Sequence, residues 1–341
     1  MKITFPSKER RYFHKRIPGL VSIGIGKKIV RGVVTEDIGL CFGVVKKLPR
    51  HEVPSKYLIP SVIEGIITDV WEVGVLKVLP VVHEFVKRYR PAPGGVSVGH
   101  KDITAGTLGC LCKRDGKVCI LSNNHVLANS NVAEIGDPIY QPGPYDGGIG
   151  NDTIAKLYHF EPIKFNQIPI PPIPPCKPSK IVQSVANWFL KQFSSWRLGF
   201  YPSEDQQVNY IDAALAEVED TSLVTPEIKE IGTVAGIVEL ALGMPVVKCG
   251  RTTEVTTGKI EQVDVSCTVQ YGGGRSAYFE DQLMAGAMSK GGDSGSVVLS
   301  NDNFIGGLLF AGSDTQTVIN RIQNVIDILG IEGFISEGED K

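Results

Sequence analysis

A mainly β fold is predicted by three features of this sequence. Apolar residues alternate with other residues in short runs, as at Val21, Ile23 and Ile25. From residue 106 onward such runs recur at short intervals, with turn signals such as Asp115-Gly116 between them. The chain also contains 38 glycines and 21 prolines, which is typical of proteins with many turns. Short strands at this spacing favour a β-sandwich or barrel over a parallel α/β sheet.

The length of 341 residues allows two or three domains, at roughly 100–200 residues each. A stretch rich in proline and glycine at residues 90–95 is a natural boundary. The sequence therefore predicts a small N-terminal α/β unit over residues 1–93 and a second domain over residues 94–335. The charged residues 336–341 are expected to form a frayed tail.

The N-terminal unit is predicted to contain short strands within residues 18–48 and a strand pair within residues 60–74. Gly24-Ile-Gly-Lys27 invites comparison with a phosphate-binding loop. Its spacing does not meet the full Gly-x-x-x-x-Gly-Lys-Ser/Thr pattern, and strand residues run through it. A hairpin strand is the favoured interpretation, and nucleotide binding is the weaker one.

The second domain carries an insertion, predicted over about residues 160–205. Its first part is rich in proline and therefore extended, and an amphipathic helix containing Trp188, Phe189 and Trp196 follows. This helix either packs on the barrel or forms a flap or docking surface. A C-terminal helix is predicted from the helical spacing of Ile319 to Leu329, with Gly330 as its stop signal.

Composition excludes several classes of function. The net charge is −2, with 35 basic and 37 acidic residues, so no global field favours nucleic acid or an anionic membrane. No apolar run reaches the roughly 18–20 residues of a spanning helix, and no signal peptide is predicted. Seven cysteines without CxxC spacing predict free thiols, a cytoplasmic setting and no zinc framework. No metal or other cofactor is expected.

A glycine-flanked serine is the first candidate for chemistry. Ser294 lies in the sequence Gly-Asp-Ser-Gly at residues 292–295, as an exposed nucleophile on a tight turn requires. The backbone N–H groups of Gly292 and Ser294 are predicted to form an oxyanion hole, worth about 3 kcal/mol per donor. An ordinary glycine-rich hairpin is the alternative for this segment taken alone.

A serine hydroxyl needs a base, and the sequence offers an ordered partner set. His125 follows an apolar strand in a polar Ser-Asn-Asn setting. Asp212 lies within an otherwise apolar strand, so its carboxylate needs a partner such as an imidazole N–H. Asp152 is a rival acid, because it also precedes a strand-like Ile-Ala. The order His125, Asp212, Ser294 in a β-rich chain predicts a catalytic triad.

These residues resemble the chymotrypsin-like (trypsin-like) serine peptidases. Gly-Asp-Ser-Gly at 292–295, the strand end at His125 and Asp-Ala-Ala-Leu at 212–215 carry the resemblance, which covers roughly residues 104–330. Gly-Arg-Thr-Thr at 250–253 and Thr-Asp-Val at 68–70 are similar to bacterial relatives of the plant narrow-leaf proteases. The resemblance implies a double β-barrel of the chymotrypsin type with the active site between the barrels.

Two departures from the family pattern affect the expectations. No cysteine follows His125, so the disulfide that is common there in the family is absent. In trypsin-like members an N-terminus formed by activation pairs with the residue at Asp293, and since none is expected here, Asp293 needs another partner. The resemblance implies a serine endopeptidase that hydrolyses protein or peptide substrates through an acyl-enzyme, and it leaves open whether the chain forms a homo-oligomer. The resemblance places Met288, six residues before Ser294, at the floor of the specificity pocket, and since no acid stands there, cleavage after Lys or Arg is not expected. The alternative is a catalytically silent scaffold or binding protein with a protease fold.

Overall fold

A computed structural model describes residues 4–30, 32–76, 84–103, 105–166 and 207–336. The prediction of a mainly β protein is confirmed, because strands dominate the described residues. The strands are β1 (Leu20–Val30), β2 (Val33–Val44), β3 (Val62–Ile63), β4 (Ile66–Glu72), β5 (Ala92–Gly94), β6 (Ser97–His100), β7 (Gly106–Thr107), β8 (Cys110–Arg114), β9 (Lys117–Ser122), β10 (Pro138–Tyr140), β11 (Thr153–Phe160), β12 (Val208–Asn209), β13 (Ala214–Glu217), β14 (Val224–Ile228), β15 (Gly236–Ile237), β16 (Pro245–Gly250), β17 (Glu254–Gln270), β18 (Ser276–Gly286), β19 (Val297–Leu299), β20 (Phe304–Gly312), β21 (Gln316–Arg321) and β22 (Gly333–Phe334). The α-helices among the described residues are α1 (Ser7–Arg16), α2 (Asn124–Leu127) and α3 (Ile322–Leu329).

Two barrel-like sheets form the body of the molecule. The first has the strand order β22-β8-β9-β13-β11-β10-β6-β7. The second runs β12-β18-β21-β20-β19-β16-β17-β1-β2-β4-β3, with β15 attached to β20 and a further pairing of β17 with β18. This is the double β-barrel architecture that the family resemblance implied. The main hydrophobic core lies inside the first sheet and continues onto β19 and β20 of the second sheet and onto helix α3.

The N-terminal strands extend the second sheet. β1 and β2 form a long antiparallel hairpin, and β1 also pairs with β17. β4 then runs parallel to β2. The predicted boundary between residues 93 and 94 falls inside β5. Residues 1–93 therefore supply edge strands to the second sheet in addition to their own small core.

The glycines of the Gly24-Ile-Gly-Lys27 segment lie within β1, so the hairpin interpretation is the one the structure favours. A Cβ atom at Gly24 would come within 2.1 Å of the Gln262 side chain, and one at Gly26 within 2.7 Å of the Glu261 carbonyl oxygen. Close packing between strands explains these glycines, and the backbone here forms a ladder in place of a phosphate-binding loop.

Helix α1 is held to the second sheet by a buried arginine. Arg10 donates to the backbone oxygens of Phe5 and Ile23, and it pairs with the Asp264 carboxylate at 2.6 Å. His14 lies one helical turn further on, with its ring 5.3 Å from the Tyr278 ring and 3.4 Å from the Ser266 hydroxyl. Burial lowers the pKa of His14 to about 4.

The C-terminal helix is confirmed as α3. Ile322, Val325 and Leu329 are buried on one face, and Gly330 ends the helix in the left-handed region at φ 63°. The proline-rich part of the insertion and its helix, together with the predicted tail beyond residue 336, lie outside the described residues. Among the described helices, none is both long and apolar enough to cross a membrane.

Candidate active site

His125 and Asp212 form a direct side-chain pair. His125 Nδ1 lies 2.6 Å from Asp212 Oδ2, and the His125 backbone N–H donates to Oδ1 at 3.2 Å. Asp212 is fully buried, whereas the His125 side chain keeps an exposed fraction of 13%. With Nδ1 bound by the carboxylate, Nε2 is the atom left to accept a proton. Nε2 has no hydrogen-bond partner among the described residues.

Neighbouring strand ends bring this pair together. β9 ends at Ser122, and the one-turn helix α2 then carries His125. β13 lies antiparallel to β9, with Ala214 opposite Ser122, so Asp212 lies just before the paired segment. The Asn123 side-chain amide donates to the Asp212 carbonyl oxygen at 2.6 Å and fixes the two segments side by side.

The second sheet holds Asp212 from the other side. Asn320 on β21 accepts from the Asp212 N–H at 3.1 Å and donates to the Asp212 carbonyl oxygen at 3.2 Å. The same Asn320 amide also donates to Leu308 on β20. Asp212 is therefore clamped between the two sheets.

Ser294 lies on a turn that depends on its flanking glycines. Gly292 and Gly295 have φ values of 95° and 97°, in the region that favours glycine. A Cβ at Gly295 would come within 2.1 Å of the Ser122 hydroxyl, and one at Gly292 within 2.4 Å of the Thr252 hydroxyl. The Gly292 and Ser294 N–H groups donate to no acceptor within the described residues. They are the predicted oxyanion donors.

Thr107 joins the serine turn to the strand that precedes His125. Its N–H donates to the Ser294 carbonyl oxygen at 2.8 Å, and its hydroxyl donates to the Gly292 carbonyl oxygen at 2.8 Å. Its own carbonyl oxygen accepts from Ser122 Oγ at 2.7 Å. The Val126 side chain and the Ser294 carbonyl oxygen both border Gly106, the residue before Thr107. The structure thus brings the serine turn and the histidine helix to one place.

The Ser294 hydroxyl bonds to a backbone carbonyl oxygen in this structure. Oγ donates to the Phe310 carbonyl oxygen at 3.4 Å, at the outer limit of a hydrogen bond. The described residues therefore form the His125–Asp212 pair but show no hydrogen bond from Ser294 to His125. A weak hydrogen bond of this length leaves the Ser294 rotamer free to change when a ligand enters.

Asp293 has the partner that the sequence left open. Its fully buried carboxylate accepts from the N–H groups of Thr252, Thr253 and Lys290 at 2.8–3.0 Å and from the Thr253 hydroxyl at 2.6 Å. Lys248 Nζ, also fully buried, lies 3.4 Å from Oδ2. Burial lowers the pKa of Lys248, and the Asp293 charge opposes that shift. This ion pair fixes the turn that carries the predicted oxyanion donors.

A second buried ion pair lies beside the first. Arg251 pairs in bidentate fashion with Asp146 and packs against Gly292. Asp146 also accepts from the Ser97 hydroxyl at 2.5 Å. Because Asp146 and Ser97 belong to the first barrel and Arg251 to the second, this pair connects the two barrels close to the serine turn.

Tyr271 supplies a further donor to the acid. Its hydroxyl lies 2.7 Å from Asp212 Oδ2. Its ring meets the His125 ring edge to face, with 5.9 Å between centroids. Burial, with a further contribution from the Asp212 charge, raises the pKa of Tyr271 well above its ordinary value.

Two other candidates of the sequence lie elsewhere. Asp152 pairs with Arg88 at 2.8 Å and accepts from the Ile149 N–H, so it serves a surface turn and does not contact His125. Met288 is buried, with its thioether against Gly258. Its carbonyl oxygen accepts from the Thr256 hydroxyl.

Sequence reasoning missed Lys248, Arg251, Tyr271 and Asn320 as parts of this site. A lysine inside an apolar strand was a usable signal for Lys248, because a buried ammonium needs a carboxylate. Arg251 lies within a family-like segment, but its partner Asp146 is not marked by any pattern. Tyr271 and Asn320 carry no local signal at all.

Comparison with known proteins gives similarity of fold. No protein-family model matches the chain, and no curated protein matches it in sequence. Among solved structures, the chain is similar to Thermobifida fusca protease A (14% identity, 72% of this chain and 99% of that chain, TM-score 0.45). It is also similar to Nocardiopsis protease (14%, 71% and 98%, 0.43) and to Cellulomonas bogoriensis chymotrypsin (13%, 72% and 98%, 0.43). These structures are chymotrypsin-like bacterial serine proteases. The function of this chain has to be argued from its own residues.

Proposed function

We propose that this protein is a serine endopeptidase with Ser294 as nucleophile, His125 as general base and Asp212 as the orienting acid. The observation that carries the proposal is the 2.6 Å contact between His125 Nδ1 and Asp212 Oδ2, while Nε2 has no hydrogen-bond partner among the described residues. A buried carboxylate on Nδ1 holds the imidazole in the tautomer that accepts a proton at Nε2 and stabilises the imidazolium that results.

In the proposed reaction, Ser294 Oγ turns from Phe310 toward His125 and attacks the scissile carbonyl carbon. His125 Nε2 takes the hydroxyl proton as the new C–O bond forms, and it later gives that proton to the leaving amine as the C–N bond breaks. The N–H groups of Gly292 and Ser294 stabilise the oxyanion of the tetrahedral intermediate. Water then attacks the acyl carbonyl carbon while His125 Nε2 takes its proton, and the ester C–O bond to Ser294 breaks as His125 returns that proton to Oγ, which releases the carboxylic acid product.

Several features support a proteinaceous substrate with an uncharged side chain at the cleaved position. The residue expected at the floor of the specificity pocket, Met288, is apolar and buried. The Met288 N–H donates to the Thr317 hydroxyl at 3.2 Å, and this hydroxyl also contacts Ser289 Oγ, so neutral groups surround this position. The described free cysteines are all buried, which supports a reducing compartment.

The experiment is hydrolysis of an unfolded protein substrate, with the new termini identified by mass spectrometry. We expect the wild type to cleave and Ser294→Ala and His125→Ala to lose cleavage by about 10⁶-fold in kcat, because triad members act as a unit. Ser222→Ala is the matched control and keeps full activity, because Ser222 is exposed and its hydroxyl donates to Asp220. Equal cleavage by wild type and Ser294→Ala would refute the proposal.

One observation favours a second candidate function. The Ser294 hydroxyl is bonded to Phe310 and not to His125, which is the arrangement a catalytically silent scaffold with a protease fold would keep. The two functions differ in the reactivity of Ser294. A scaffold leaves Ser294 unlabelled by an active-site serine reagent under folded conditions.

A further inference from the structure

The acid of the proposed triad accepts a hydrogen bond from a tyrosine. Tyr271 Oη lies 2.7 Å from Asp212 Oδ2, the same oxygen that lies 2.6 Å from His125 Nδ1. We propose that Tyr271 is a positioning residue for the reaction, which holds the Asp212 carboxylate and the His125 ring in the orientation needed for proton transfer. This inference rests on the proposed function.

The hydrogen bond has a defined direction. Asp212 is fully buried and accepts at Oδ1 from the His125 N–H, so its two oxygens already face donors. The pKa of Tyr271 is raised well above its ordinary value by burial and by Asp212, so the phenol is protonated and donates. Three donors on one carboxylate prevent its rotation and leave the His125 Nδ1–H contact as the single arrangement.

The Tyr271 ring restrains the base as well as the acid. It meets the His125 ring at 76°, edge to face, with 5.9 Å between centroids. On its other sides the ring is braced by Phe165 at 5.4 Å and by Phe279, which is stacked at 6.4 Å and 27°. A side chain braced in this way keeps its hydroxyl on Asp212 while His125 changes charge.

The backbone around Tyr271 is built for this placement. Tyr271 follows the last residue of β17, and its N–H donates to the Arg275 carbonyl oxygen at 3.0 Å across a loop of three glycines. Gln270 and Ser276 form the last pair of the ladder below it. Phe165, which braces the ring, is itself bridged to Ala277 on β18. The hairpin thus presents Tyr271 from the second barrel to an acid on the first.

Tyr271→Phe tests the inference, because it removes the hydroxyl and keeps the ring. A hydrogen bond to a charged group predicts a decrease in kcat of about 10- to 100-fold, with KM within about twofold. Tyr210→Phe is the matched control. Tyr210 lies two residues before Asp212 and is exposed, and its hydroxyl bonds to no described residue. We expect removal of the Tyr210 hydroxyl to leave kcat unchanged.

A spectroscopic measurement that needs no turnover accompanies the kinetics. Because His125 Nδ1 and Asp212 Oδ2 lie 2.6 Å apart, we expect the proton between them to give a strongly downfield resonance that is absent from His125→Ala. We expect this resonance to move in Tyr271→Phe and to stay in place in Tyr210→Phe. All variants are measured at temperatures well below the midpoints of their thermal unfolding. An unmoved resonance together with an unchanged kcat in Tyr271→Phe would overturn the inference.

The two failures are distinguishable. If Ser294→Ala keeps wild-type turnover, the proposed function fails. If Ser294→Ala is inactive while Tyr271→Phe matches the wild type in kcat and in the downfield resonance, only the role of Tyr271 fails.

Discussion

Replacing Lys248 by methionine removes one partner of a fully buried ion pair. Lys248 Nζ lies 3.4 Å from Asp293 Oδ2, and both side chains have no exposed surface. Removal of one partner from such a pair costs about 3–5 kcal/mol, because the remaining charge stays buried. Asp293 keeps donors from Thr252, Thr253 and Lys290, so we expect a loss of about 3 kcal/mol in the free energy of unfolding. Domains are stable by about 5–15 kcal/mol, so the variant remains folded.

Lys248→Met should also lower kcat, although the variant remains folded. Asp293 anchors the turn that presents the Gly292 and Ser294 N–H groups. Loss of one aligned oxyanion donor costs about 10²–10³ in kcat, and we expect a decrease of at least about 100-fold for Lys248→Met. Urea unfolding followed by tryptophan fluorescence measures the first effect, and peptide hydrolysis measures the second.

Lys259→Met, which changes an exposed lysine on β17, is the control and should shift stability by less than about 0.5 kcal/mol. Adding Asp293→Asn to Lys248→Met removes the unpaired charge, so the double variant should be less destabilised than the sum of the single variants. Wild-type stability and activity in Lys248→Met would refute the reasoning about the buried pair.

Two other predictions concern stability. His14 has a folded-state pKa of about 4 against 6.5 for the free side chain, so below pH 6.5 the unfolded chain binds a proton that the folded chain refuses. The free energy of unfolding should therefore fall between about pH 6.5 and pH 4, by up to about 3 kcal/mol, and His14→Gln should remove that dependence while the exposed control His51→Gln keeps it. Gly295→Ala should lose on the order of 3 kcal/mol in urea unfolding, since φ is 97° and a Cβ would clash with Ser122. Gly116→Ala, at φ 70° with no described atom within 4 Å of the added Cβ, should lose only about 1 kcal/mol, and equal losses for the two variants would contradict the steric argument.

Local patterns account for the parts of the site that the sequence predicted. The glycine-flanked Ser294, the polar segment at His125 and the acid among apolar residues at Asp212 each depend on neighbours a few positions away. Such patterns are visible because turn geometry and the burial of polar groups restrict residue types locally. The structure then added the partners that come from distant strands.

Long-range partners account for what the sequence did not predict. Tyr271 is 59 positions from Asp212, and Asn320 is 108 positions from it, so no local spacing of residues in the sequence indicates either contact. The pairing of β1 with β17 is likewise a matter of strand order, which hydrophobic alternation does not encode. For this reason the sequence predicts a separate unit over residues 1–93, whereas in the structure β1 to β4 continue the second sheet.

Covalent labelling of Ser294 tests the central claim most directly. The folded protein is treated with a fluorophosphonate, which reacts with serines activated by a neighbouring base, and the labelled peptide is mapped by mass spectrometry. We expect one equivalent of label on Ser294 of the folded wild-type protein. No label is expected when the protein is unfolded before treatment, or in folded His125→Ala. The control His51→Ala, which changes an exposed histidine, should be labelled as fully as the wild type. Absence of label on Ser294 in the folded wild-type protein, or equal labelling in His125→Ala, would contradict it.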